Sequence, residues 1–166
     1  MNTLRHLRAV KVRDCLVLAS AMLLSGCASI VGSLTSGVAA NLSTAILDSD
    51  DPAMIRDGAP AYLILIDSLL AGSPDSPQLL AQSAELHSAY AGAFVDEPER
   101  ARQLHNKAKT QMLYATCLSL KDACGLERRP FQEFSAWVDA QGPKSVPTLY
   151  NLGSIWAGWI QANSAD

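Results

Sequence analysis

"APAYLILIDSLLAGSPDSPQLLAQSAELHSAYAGAF", residues 59–94, sets two apolar runs of helical length on either side of the break "SPDSP". Proline has no N–H to give to a helix interior, yet its fixed φ suits a first helical turn. Pro74 therefore ends one helix and Pro77 opens the next, "QLLAQSAELHSAYAGAF". Nearly every other segment repeats this helical period, and no run alternates β-branched with polar residues, so the expected fold is all-α.

Upstream, "PAMIRD" reads as a short helical turn ending at Gly58, with the helix "APAYLILIDSLLAG" after it. Before that, residues 30–47 form a weak helix rich in Ser, Thr and Gly, closed by "DSDDP". The acids there lack the glycine and the distant glutamate of a calcium loop, and an aspartate N-cap before Pro52 explains them. Downstream, "VDEPER" caps a long helix from Glu97 or Pro98 to about Leu120, with Glu99 complementing its N-terminus. A helix "FQEFSAWVDAQ" follows Arg128, Arg129 and Pro130, and a last one runs from about Val146 to Ala162. Its Val146, Leu149, Leu152, Trp156, Trp159 and Ile160 are spaced as a single buried face.

Helices joined by short proline-bearing turns suggest internal repeats. The tetratricopeptide pattern puts a small, a large and a small residue at spacings of four and three where paired helices cross. Ala101, His105 and Ala108 fit it, as do Ala61, Leu65 and Ser68. The connection between Ala84 and Ala101 is longer than the standard repeat allows, and the usual tryptophan is missing. The expected architecture is thus antiparallel helix pairs in a short, degenerate tetratricopeptide-like solenoid over residues 51–166.

The N-terminus reads as an address. Arg5, Arg8, Lys11 and Arg13 precede the uncharged run "CLVLASAMLL", which is too short for the roughly 20 residues a membrane-spanning helix needs. Leu24, Ser25, Gly26 and Cys27 follow as a lipobox, in which the Cys27 thiol accepts a diacylglycerol and becomes the new N-terminus. Residues 1–26 are then a lipoprotein signal peptide and 27–50 a lipidated N-terminal segment. Cleavage would leave 140 of the 166 residues, 166 − 26. Ala28 and Ser29 supply no aspartate retention signal, which favours the outer membrane, facing the periplasm. Several acyl chains make such an anchor stable where one would not.

Taking four of the 13 Lys+Arg and one of the 16 Asp+Glu away with the signal leaves 9 against 15, a formal charge of −6. An acidic chain without a basic stripe argues against nucleic acid as a partner. Of the four cysteines, Cys15 leaves with the signal and Cys27 is acylated, so Cys117 and Cys124 remain. In one continuous helix they would stand about 10 Å apart, beyond disulfide reach. A bridge therefore needs the helix to stop, as Lys121, Asp122, Gly125 and "ERRP" allow; the alternative is two buried free thiols. A lone Cys-x6-Cys offers no metal site.

No G-x-S-x-G elbow, H-E-x-x-H pair or glycine-rich phosphate loop occurs, so neither an enzyme nor a cofactor is expected. His87 and His105 read as structural histidines, and Arg128 with Arg129 as a helix C-terminal complement. Tyr90, His87, Trp156 and Trp159 are the candidates for a binding surface, although the two tryptophans also suit a core stripe.

"DGAPAYL" (57–63), "AGSPDSP" (71–77), "YAGAFV" (90–95) and "WAGWIQANS" (156–164) together resemble the T component associated with tripartite ATP-independent periplasmic (TRAP) transporters. The resemblance runs from about Leu47 to the end and matches only the N-terminal half of such proteins. It implies an all-helical periplasmic lipoprotein with cryptic tetratricopeptide repeats that associates with the transporter's solute-binding subunit and lines a ligand-accessible cavity or pore in an oligomer. A truncated array should expose an apolar edge unless another copy or another chain covers it. The expected function is a lipid-anchored periplasmic adaptor. A structural lipoprotein of envelope assembly and a carrier of a hydrophobic small molecule are the alternatives.

Overall fold

In the computed structural model, residues 37, 41, 44–46 and 48–164 are described, and the chain divides into Met1–Val38 and Ala39–Asp166. The stretches read as a signal peptide and as a lipobox at Cys27, and most of the expected first helix, lie outside the described residues. Among the described residues of the second unit there are five long or medium helices and no strand: α1 Pro52–Gly72, α2 Pro77–Phe94, α3 Pro98–Ser119, α4 Phe131–Asp139 and α5 Val146–Asn163. The fold is all-α.

Helix starts follow their local chemistry. Asp51 accepts from the Met54 amide at 3.0 Å, and Ser76 accepts from that of Leu79 at 3.4 Å, each just before a proline in the first turn. α3 also starts on a proline and places Glu99 in its first turn. Connections of a few residues between α1, α2 and α3 force the chain to double back, so each helix runs antiparallel to the one before it. α2 packs most extensively on α3, α3 then on α5, and α1 packs on α2.

α1 is one helix rather than the turn and helix read from the sequence. Pro60 lies inside it and forfeits one backbone hydrogen bond. The buried stripe continues across that point, however, with Ala59 on one side of the proline and Leu63, Ile66 and Leu70 on the other. Packing on α2 outweighs the local break.

Two further expectations change. Ala61, Leu65 and Ser68 lie on the exposed side of α1, whereas Ala108 and His105 of the matching pattern in α3 are buried. On α5 the buried positions are Leu152 and Ile155; Val146 and Ile160, assigned to the same face, are 58% and 53% exposed. Both helices are apolar nearly all round, so the periodicity does not reveal which side meets the neighbour.

Beyond Ser119 the helix does stop. Asp122 and Gly125 both take positive φ, +56° and +73°, the second favoured by the lack of a Cβ. This reversal brings Cys117 and Cys124 to a Cα separation of 4.4 Å, and they form a disulfide. Arg129 then donates to the carbonyls of Asp122 and Cys124, and Trp137 Nε1 donates to that of Lys121 at 3.1 Å, so the loop anchors α4.

Close approach fixes one glycine. A Cβ on Gly158 of α5 would meet the His105 ring at 3.0 Å and Ser88 Oγ at 3.4 Å, whereas one on Gly153 would meet nothing within 4 Å. Gly158→Val should therefore destabilise by about 1–3 kcal/mol through overpacking. Gly153→Ala should stabilise by roughly 0.5–1 kcal/mol through helix propensity alone. Paired urea denaturation curves check both, and equal effects at the two glycines would contradict this packing.

Candidate functional site: an apolar groove and a polar seam

The more enclosed of two apolar recesses is a groove of about 210 Å³ along the α1–α2 seam. Ile46, Ile55 and Ala59 line one side, and Leu86, Tyr90 and Phe94 the other. The Tyr90 and Phe94 rings sit 5.8 Å apart, and the Arg100 guanidinium lies 5.8 Å from the Tyr90 ring centre. Such a cavity suits an apolar guest, with Ser49, Tyr62 and Tyr90 as the side chains able to offer a hydroxyl.

A second, more open recess of about 330 Å³ lies between α4 and α5, lined by Leu126, Phe131, Phe134, Trp156 and Ile160 beside Glu127 and Arg129. Phe134 meets Trp156 edge-on at 6.0 Å and Trp137 at 6.3 Å. Trp159 points elsewhere, donating from Nε1 to Asn106 Oδ1 on α3 while the Lys109 ammonium lies 3.3 Å from its ring centre.

The four candidate surface residues are thus distributed over the molecule. Tyr90 lines the groove and Trp156 the open recess, while Trp159 is a half-buried tie to α3. His87 lines neither cavity: it is 2% exposed and lies in the interior. Its Nδ1 lies 2.8 Å from the Ser83 carbonyl. A carbonyl can only accept, so Nδ1 carries the hydrogen and donates it. His105 is buried too, with Nδ1 3.4 Å from Ser88 Oγ. Burial holds both histidines below the ordinary histidine range.

Sequence reasoning passed over Asp67 and Lys107. Lys107 Nζ donates to Asp67 Oδ2 across 40 positions of sequence, and His87 Nε2 stands 3.8 Å from the same oxygen. The available signal was Asp67 itself, a lone acid inside "YLILIDSLLAG". Another such tie joins α2 to α5, where Asn151 donates to Glu85; burial, the larger effect, lifts that carboxyl above its usual range. Among the described residues no group of three or more His, Cys, Asp or Glu side chains could hold a metal ion.

Fold and geometry define an all-helical protein that offers apolar recesses between helices held by polar ties. The family model for the TRAP transporter T-component matches residues 48–166, and the chain belongs to that family. It is a family of transporter-associated components and not a known enzyme family, which links this chain to a TRAP transporter and so to a membrane. No described helix is long and apolar enough to cross a membrane. Neither a curated protein nor a solved structure matches the chain.

Proposed function

We propose that the protein is a lipid-anchored periplasmic adaptor that binds the solute-binding subunit of a TRAP-type transporter. The match of the T-component family to residues 48–166 is the observation that carries this reading. Acyl chains on Cys27 hold the module at the membrane, with the outer membrane favoured. The successive antiparallel helices α1, α2, α3 and α5 act as a degenerate tetratricopeptide-like stack, whose surfaces recognise a folded partner rather than a reaction centre.

Affinity purification of the full chain from detergent-solubilised membranes should recover a TRAP solute-binding subunit. Recovery of the chain with envelope-assembly proteins and no such subunit would overturn the adaptor reading in favour of a structural lipoprotein. Cys27→Ser should release the chain from membranes or leave it uncleaved, and unchanged acylation would sink the anchor.

The α1–α2 groove favours a second reading, a carrier for a hydrophobic small molecule. Native mass spectrometry of the purified protein discriminates it: a retained apolar ligand supports the carrier, and a bare mass opposes it.

A further inference from the structure

Asp67, His87 and Lys107 come from three successive helices, α1, α2 and α3, and converge on one carboxylate oxygen. The Asp67 and Lys107 side chains are each 37% exposed, while that of His87 is 3% exposed. The ion pair therefore lies at the solvent edge of the seam, and the imidazole lies inside it.

With its hydrogen on Nδ1, the neutral ring presents a bare Nε2 to Asp67, and 3.8 Å is too long for a hydrogen bond. Asp67 is then left wholly to Lys107. A proton on Nε2 would add a second cation beside Lys107, in the interior, facing a carboxylate already engaged. Burial is the largest influence disfavouring that proton and Lys107 adds to it; the Ser83 carbonyl and Asp67 pull the other way without prevailing. Among the described residues, Asp67 from α1 and Lys107 from α3 are the charged groups that face the ring, and α2 contributes the uncharged Ser83. The other buried histidine, His105, faces Ser88 and Gly158 instead.

Relief requires water at Nε2, and water reaches it when the helix that carries Asp67 moves away. α1 is suited to move: its contact with α2 is less extensive than those of α2 with α3 and of α3 with α5. Its outer side chains Ile64 and Leu65 are 71% and 43% exposed. The apolar groove runs along the same seam, so its width follows α1.

We propose that Asp67, His87 and Lys107 form an acid-sensitive latch: at neutral pH the Asp67–Lys107 ion pair ties α1 to α3 beside the neutral His87 of α2, and proton uptake by His87 releases α1 and widens the groove. A histidine whose folded-state value is depressed costs nothing above its unfolded value, about 6.5. Stability is lost as pH falls from there through the folded value. A folded population with α1 lifted, in which the ring is hydrated, therefore grows in the same window. The latch does not depend on what fills the groove or on which partner the protein binds.

Hydrogen exchange of the full chain, corrected for intrinsic rates and compared between about pH 7.5 and about pH 5, tests it across the ordinary histidine range. Protection of α1 should fall several-fold more than that of α3 on acidification. His87→Gln, which cannot take up the proton, should abolish that difference and leave any His105-linked change at α5 in place. An α1 no more acid-sensitive than α3, or an equal response in the variant, would overturn the latch. If the variant does not fold at neutral pH, NMR of the wild-type chain decides: α1 resonances should titrate with the midpoint of the His87 ring, and separate midpoints would refute the coupling.

Discussion

Met112→Ala is expected to lower the unfolding free energy by about 2–5 kcal/mol, the range for truncating a large buried side chain. Met112 is 1% exposed and sits in the cluster that joins α2, α3 and α5, with Ala84, Ala108, Leu152 and Ile155 around it. Ala84 and Ala108 have no solvent exposure and bring the two backbones close. Helices already in contact through alanines cannot slide together to fill the space, so most of the cavity should persist. Leu65→Ala removes a comparable volume from the exposed side of α1 and should change stability by no more than about 0.5 kcal/mol. Urea denaturation monitored by circular dichroism gives both values. Equal losses would mean that the side of α1 carrying Ala61, Leu65 and Ser68 is buried after all.

That pair of substitutions also marks how far the sequence could be read. Helix limits were legible because local chemistry sets them: prolines at 52, 77 and 98, the Asp51 cap, and the reversal around Gly125. The buried side of each helix was legible only where charge marks the opposite one. α3 carries charge along one side and small residues on the other, and Ala108 and His105 are buried as their spacing suggests. In α1 the run "YLILI" is apolar on every side, and α5 has no charged residue at all, so neither gave a phase. The same gap explains the candidate site. Tyr90 was found as an aromatic on a helix, but the groove it lines needs α1 laid against α2, and Asp67 meets Lys107 only once α3 is in place as well. Long-range pairs of this kind leave a faint trace in sequence, here one acid in an apolar run.

Removing the Cys117–Cys124 disulfide, as the double serine variant, should cost about 2–3 kcal/mol by the loop-closure entropy of an eight-residue ring. The unfolded chain gains that freedom wherever the bridge lies; the location decides what else is lost. Within the bridged segment Asp122 holds φ +56°, a conformation disfavoured for side chains by about 1–2 kcal/mol, although aspartate tolerates it better than most. The carbonyls of Lys121, Asp122 and Cys124 in turn receive Trp137 and Arg129, so α4 is oriented by a loop whose own shape is constrained covalently. Trp137, 8% exposed, then helps seat Phe134 against Trp156. Losing the bridge should therefore loosen α4 before the rest: amide exchange should rise over residues 120–139, while the α2–α3 pair keeps its protection. A loss below about 0.5 kcal/mol with α4 still protected would transfer the role to Arg129 and Trp137, whose bonds to the loop would then suffice. A uniform loss of protection across α2 and α3 would instead make the bridge a global staple, and the open recess between α4 and α5 would no longer be the part of the molecule that it shapes.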